Sequence, residues 1–333
     1  MKVDDVYQHD GSVTVVDFAK KVATDYDARD VYEPFAIIDL DKVKQQLDLW
    51  NFALPSPYYA VKCNPDLNIL KTLSAYGACF DCASVAEMEQ VLSNDMASGD
   101  GIILAHPIKS RQCIEYAMEN NITMMTLDSV EELRKIVSIT TGAKIRVNGF
   151  EALVDLNKKF GADEITSKLI FHEAAKLGAK IHGISFHIGS GVQNCRPMAL
   201  SLASARKLLD YGRMLGHPVD ILDIGGGFIA SNGKNFMKVG HFIENTLSSC
   251  FEDIELTVIA EPGRFLVTDA QPIDVYLLSK KEIGSCIPNV GPTHCASQQI
   301  LMVSIHQKQN VSHSLQRVRR EGEDVPDKIL SKI

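Results

Sequence analysis

Short runs of apolar and β-branched residues recur along this 333-residue chain, and each gives way to a polar or glycine position. They are PYYAVK at 57, CFDCAS at 79, GIILAHP at 101, TMMTLD at 123, KIRV at 144, GISFHIGS at 183, DILDIGGG at 220 and TVIAEPG at 257. Between them lie stretches whose apolar residues fall three and four apart, such as NILKTLSAYG, VAEMEQVLSN, SVEELRKIVS and ALSLASARKLLDYGRMLG. The short runs predict strands and the longer spacing predicts helices. Several helical stretches close on glycine, and Ser129 is followed three residues later by Glu132, a capping-box pattern. Strands alternating with helices imply right-handed βαβ units and a parallel sheet. Eight in succession predict a closed (β/α)₈ barrel, although an open doubly wound sheet shares the same local pattern.

The strand ends favour the barrel. The runs finish at Lys62, at Asp81 and Ser84, at His106, at Asp128, at Arg146, and at His187 and Ser190. The last two finish at Asp223 with Gly225, Gly226 and Gly227, and at Glu261 with Gly263 and Arg264. A closed ring makes these residues converge on the face where barrel enzymes carry their active sites, whereas an open sheet spreads them out.

Composition excludes some classes without changing that picture. The chain is 45% hydrophobic and 23% charged, as soluble globular proteins are. A net charge of -8 argues against a nucleic-acid partner, which selects for a basic surface. No apolar run is long enough to cross a bilayer and MKVDDVYQHDGS lacks a signal-type apolar core, so the expected location is the cytoplasm, with no membrane partner. Eight scattered cysteines are read as reduced thiols. Cys79 and Cys82 form a C-x-x-C inside a strand that turns them to opposite faces, so they are read as two small buried residues; no metal site is expected.

The converging residues suggest a cofactor. A lysine at a strand end can act as a carbonyl-capturing nucleophile if its pKa is depressed. Three glycines in DIGGGF let backbone N–H groups approach an anion, and EPGRF adds Gly263 and the guanidinium of Arg264, which suits phosphate oxygens. Glu261 would keep a heterocyclic nitrogen protonated, and His187 could stack on a flat ring with Ser190 and Gly191 following as phosphate donors. Together these requirements describe pyridoxal 5′-phosphate.

At these residues the sequence resembles the eukaryotic ornithine decarboxylases, barrel-type pyridoxal phosphate enzymes related in fold to alanine racemase. The resemblance is carried by PYYAVKCN, FDCAS with Glu87, HPIKS, MMTLDS, KIRV, KFGA, GISFHIGSG, ILDIGGGF and IAEPGRF, from about residue 30 to about residue 280. It implies that Lys62 holds the cofactor, that His187 stacks on its ring, that Glu261 pairs with its nitrogen and that Arg146 orients Glu261. Ser190, Gly225, Gly226, Gly227, Gly263 and Arg264 would hold the phosphate, with Asp81 and Glu87 in the surrounding shell.

It also implies a domain plan: residues 1–30 joining a second β-rich domain, residues 31–270 forming the barrel, and residues 271–333 forming an incomplete or divergent carboxyl-terminal β region. GSVTVVDF would be the family's first strand. Gly291, Pro292 and Thr293 echo a family motif, but His294 intervenes and Ala296 replaces an aspartate after Cys295, which reads as a chance or degraded match; a working match would make Cys295 an active-site cysteine. The activity implied is decarboxylation of L-ornithine to putrescine, in a family that forms homodimers, with this shortened chain expected to be impaired. The alternative is an inactive relative that binds antizyme, with Lys109 and Arg111 as candidate contacts.

Overall fold

The computed structural model describes residues 12–31, 35–148, 161–189, 195–230, 233–270, 273–283 and 298–306. By their contacts the residues fall into two units, Leu40–Ala270 and the segments on either side of it.

The larger unit is the barrel. Eight parallel strands pair in chain order: β2 (Tyr58–Ala60), β3 (Cys79–Cys82), β4 (Ile102–Leu104), β5 (Met124–Leu127), β6 (Lys144–Asn148), β7 (Ile181–Ser185), β8 (Ile221–Asp223) and β9 (Thr257–Ile259). The ring closes where Tyr58 donates its N–H to the Ala260 carbonyl at 2.8 Å and Ala60 donates to Pro262 at 3.0 Å. All eight strands read from the hydrophobic runs are present, and the closed ring excludes the open sheet.

Helices α2 (Leu40–Ala53), α3 (Leu67–Ala75), α4 (Val85–Ser93), α5 (Arg111–Glu119), α6 (Val130–Ile139), α7 (Glu164–Lys176), α8 (Arg196–Met214), α9 (Gly233–Cys250) and the short α10 (Arg264–Val267) belong to the same unit. Several start on a side-chain cap: Asp66, Ser84, Ser110, Ser129 and Asp163 each accept a backbone N–H from the first turn.

Strand periodicity places the site. Tyr58, Ile103, Ile221 and Ile259 form one buried cluster, with Cys79, Met124 and Ala105 packed against it. Side chains two apart along a strand share a face, so the positions beyond Cys79, Met124, Ile221 and Ile259 bring Asp81, Thr126, Asp223 and Glu261 to the same inner side. The barrel interior thus changes from apolar to polar over one pleat, toward the carboxyl ends of the strands.

Outside the ring, Trp50 on α2 is fully buried and its indole N–H donates to the Pro55 carbonyl at 2.8 Å. Its ring meets Phe228 at 5.0 Å and Phe265 at 5.2 Å, centroid to centroid, and Phe236 packs on Phe265 at 4.3 Å. Phe228 follows Gly227 and Phe265 follows Arg264, so one aromatic cluster anchors both glycine-bearing loops.

The smaller unit contains α1 (Val15–Ala28) and a three-stranded antiparallel sheet of β1 (Phe35–Ile37), β10 (Ile273–Ile283) and β11 (Gln298–His306), in the order β1-β10-β11. The strand expected in GSVTVVDF is instead the start of a helix. Thr14 caps it by accepting the Asp17 N–H, and Ala19, Val22, Ala23 and Tyr26 bury one face at helical spacing. That spacing outweighs the β-branched run at its start. Gly291 to Ala296, including Cys295, lie outside the described residues.

Candidate active site

Local chemistry puts Lys62 at the mouth of the barrel. After Ala60 the chain leaves β2 in a single 3₁₀ turn, Val61–Cys63. Pro65 restricts the residue before it, and Asn64 is extended at φ -157° and ψ 107°. Asp66 then caps α3 by accepting the N–H groups of Asn68 and Ile69. Val61 is fully buried, which fixes the turn, while the Lys62 side chain remains 53% exposed.

Lys62 Nζ donates to Asp81 Oδ2 at 2.7 Å. Asp81 is 1% exposed, and its Oδ1 has no hydrogen-bond partner among the described residues. Burial opposes the charge on Lys62, but Asp81, Glu261 and Glu87 outweigh it and hold the amine above its ordinary pKa. The expectation of a depressed lysine therefore fails for this state, because three carboxylates surround the amine. Burial pushes the Asp81 carboxyl up, Lys62 pulls it down, and Asp223 and Glu87 push it up again.

Glu87 is committed to the start of α4: its Oε2 accepts the Ala83 N–H at 2.7 Å while Ser84 accepts the Glu87 N–H. Asp223 is fully buried; its Oδ2 accepts from Ser185 Oγ at 3.0 Å and its Oδ1 from the Gly225 N–H at 2.9 Å. Gly225, expected to hold phosphate through its backbone, thus has its N–H engaged by Asp223. Its part is to shape the turn, at φ +65°, where a Cβ would meet the Phe186 carbonyl at 2.1 Å. At Gly227, φ is +97° and a Cβ would meet the Gly189 carbonyl at 1.9 Å. Glu261 donates its N–H to the Gly225 carbonyl at 2.8 Å, joining the two strand-end loops.

His187, at the end of β7, is exposed at the mouth, and its Nδ1 accepts the Gly189 N–H at 3.0 Å. Nε2 therefore carries the proton of the neutral ring. The protein packed around the ring at the mouth strips part of its hydration and, with the Lys62 charge second, lowers its pKa against the pull of Asp223, while Arg264 adds to the lowering. A Cβ on Gly263 would lie 3.1 Å from Cys63 Cβ and 3.3 Å from Cys63 Sγ, so the loop bearing Arg264 packs directly on the lysine turn. Burial raises the Cys63 thiol pKa against Arg264 and Lys62.

The structure therefore brings Lys62, Asp81, His187, Gly225, Gly226, Gly227, Glu261, Gly263 and Arg264 to one end of the barrel. Arg146 lies on β6 in register with Thr126 and Gly183, and its side chain is outside the described residues, as is Ser190. Sequence reasoning missed the Ser185–Asp223–Gly225 link and the packing of Cys63 on Gly263. Ser185 and Asp223 each end a strand, and that was the only signal they offered.

One expectation is corrected. Lys109 is not an outward contact: its side chain is 0% exposed and pairs with Glu132 at 3.1 Å. It turns inward because the Thr126 and His106 carbonyls also accept from its ammonium, at 2.6 Å and 3.1 Å. Arg111 is exposed and donates to Ser138 Oγ at 3.3 Å.

Comparison with known proteins agrees with this geometry. The family described as pyridoxal-dependent decarboxylase, pyridoxal binding domain, matches residues 40–268, the span of the barrel. The chain belongs to this family of pyridoxal-dependent decarboxylases. It is 35% identical over 292 residues to the ornithine decarboxylase of Caenorhabditis elegans, covering 85% of this chain and 69% of that one. It is 35% identical over 257 residues to that of Schizosaccharomyces pombe, covering 75% and 58%. Among solved structures, the arginine decarboxylase of Paramecium bursaria Chlorella virus superposes with a TM-score of 0.71 at 29% identity, covering 80% of this chain and 74% of that one. The chain spans roughly three-fifths to two-thirds of the length of most of the curated relatives it matches.

The cofactor of the family is pyridoxal phosphate, and the residues present fit it. A half-open lysine stands beside a buried carboxylate with one oxygen lacking a hydrogen-bond partner among the described residues, in electrostatic reach of Glu261, and a guanidinium follows glycine-bearing loops.

Proposed function

We propose that the protein catalyses pyridoxal phosphate-dependent decarboxylation of L-ornithine to putrescine in the cytoplasm. The observation that carries this reading is the half-exposed Lys62 amine at the barrel mouth, held by buried Asp81 with Glu261 in electrostatic reach. When bound, the cofactor supplies an aldehyde for the substrate amine and a ring that withdraws the electrons left as CO₂ departs.

In this reading Lys62 anchors the cofactor and moves protons between its amine and the reacting centre. Glu261 holds a proton at the ring nitrogen, with Arg146 orienting it. His187 covers one ring face, its tautomer set by the Gly189 N–H. Gly226, Gly227, Gly263, Ser190 and Arg264 bind the phosphate, and Gly225 shapes the turn that presents them. Ornithine is preferred over arginine and lysine because the curated relatives cited above are ornithine decarboxylases. The alternative of a non-catalytic, antizyme-binding relative gains nothing from Lys109, which is buried.

Release of labelled CO₂ from carboxyl-labelled ornithine, arginine and lysine, measured in parallel on the purified chain, tests the proposal. Release from ornithine at the highest kcat/KM is expected. Preference for arginine or lysine overturns the substrate, and borohydride fixation of pyridoxal phosphate at a lysine other than Lys62 overturns the site.

A further inference from the structure

Capture of an aldehyde needs a neutral amine, because an ammonium has no lone pair. At pH 7 even an ordinary lysine is neutral in only about one molecule in 10³ to 10⁴. Lys62 is less favourable still, since it stands among Asp81, Glu87 and Glu261. A group at the site that accepts its proton would speed the capture.

The candidates can be separated by what their oxygens already do. Asp223 spends one oxygen on Ser185 and the other on the Gly225 N–H. Glu87 spends Oε2 on the Ala83 N–H. Glu261 acts on Lys62 through its charge, and the other groups in electrostatic reach are His187, whose hold on a second proton is weakened, and the guanidinium of Arg264. Asp81 touches Lys62 Nζ directly at 2.7 Å, is 1% exposed, and keeps Oδ1 without a hydrogen-bond partner among the described residues. A buried carboxylate in contact with the donor, with an oxygen to spare, is a ready acceptor because burial favours its neutral form.

We propose that Asp81 is the proton acceptor of Lys62 during cofactor capture, holding the amine as an ammonium beforehand and relaying its proton afterwards. The proposal rests on Lys62 being the cofactor lysine. One proton passes from Nζ to Asp81 Oδ2, and the freed nitrogen lone pair forms a bond to the aldehyde carbon as the C=O π pair moves to oxygen. That oxygen collects two of the three original ammonium protons, one of them returned by Asp81, and leaves as water. The nitrogen lone pair closes the C=N bond, the third proton stays on nitrogen, and Asp81 is a carboxylate again.

The test uses the full cofactor-free chain as wild type, Asp81→Asn and Asp81→Glu. The first readout is the pH dependence of acetic anhydride labelling at Lys62 relative to exposed Lys71, followed by mass spectrometry. Asp81→Asn is expected to lower the Lys62 midpoint by roughly one pH unit or more, and Asp81→Glu to restore it. The second is the rate of visible absorbance change on adding pyridoxal phosphate, below the labelling midpoint, where the amine starts as an ammonium. There Asp81→Asn is expected to slow capture by about a hundred-fold or more, with formate in the buffer recovering part of the rate.

An unchanged midpoint, or capture by Asp81→Asn as fast as wild type at every pH, overturns the proposal. If Asp81→Asn does not fold, the wild type alone decides, since a Lys62 midpoint at or below that of Lys71 also overturns it. Borohydride fixation elsewhere sinks the functional reading, whereas a shifted midpoint with normal fixation at Lys62 but no loss of rate sinks only the relay.

Discussion

Two lysines follow barrel strands, and their surroundings differ. The Lys109 side chain is fully buried, and its ammonium meets Glu132, the His106 carbonyl and the Thr126 carbonyl, three acceptors for three protons. Glu132 in turn receives the Lys109 N–H and the Lys135 ammonium, and Lys135 also reaches the Lys109 carbonyl. Burial lowers the Lys109 pKa against the pull of Glu132. Among the described residues Lys62 has a single close acceptor, on a carboxylate whose other oxygen has no hydrogen-bond partner there, and its side chain is half exposed. Where every donor and acceptor is matched, a buried charge ties loops together; where matching stops short, the remaining capacity is available to a ligand.

The sharpest break of that comparison is Lys62→Ala. It should abolish borohydride-fixed cofactor and all turnover, and lower the unfolding midpoint less than Glu132→Ala does, because the buried Asp81 carboxyl left behind can take up a proton, as burial favours. Glu132→Ala should do the opposite, costing about 3 to 5 kcal/mol in urea unfolding by stranding the buried Lys109 charge, with cofactor capture intact in the folded fraction. Lys109→Met combined with Glu132→Leu should recover most of that loss. A cost under about 1 kcal/mol for Glu132→Ala would show that the cluster is not a saturated brace.

Smaller effects sharpen the Lys62 side. Arg264→Ala should weaken pyridoxal phosphate binding roughly ten- to hundred-fold, the equivalent of about 1.5 to 3 kcal/mol for a charge-assisted contact, measured by absorbance titration. Glu261→Ala should lower turnover more than affinity.

The smallest effect is on pH. The folded state holds His187 below its ordinary pKa, so the unfolded chain binds this proton more readily, and the ring destabilises the fold as pH falls below about 6.5. His187→Gln should flatten the acid limb of the cofactor-free stability curve just below that pH. An unchanged limb would show that the ring titrates as it would in water.

Much of the barrel was legible because it rests on local rules. Eight apolar runs, the helical spacing between them and caps such as Ser84 and Ser129 depend on neighbours within one turn or one pleat. The polar residues that meet at one end of the barrel were legible for the same reason: they end inward-facing strands. The amino-terminal segment was misread because Thr14–Phe18 carries both a β-branched run and a helix cap, and the burial of Ala19, Val22 and Ala23 decided between them.

What the sequence by itself determined was the order of elements, the residue types at the strand ends, and through them the class of cofactor. Only the tertiary structure decided which lysine is a brace and which is open, that Asp81 and not another carboxylate holds Lys62, and that Gly225 serves Asp223. The first two depend on residues 23 and 19 positions apart in the chain, Lys109 with Glu132 and Lys62 with Asp81, and the last on a turn in which Asp223 also meets Ser185, 38 positions away. The energy of a charge depends on its burial and on how many partners reach it, and neither can be counted until the ring has closed.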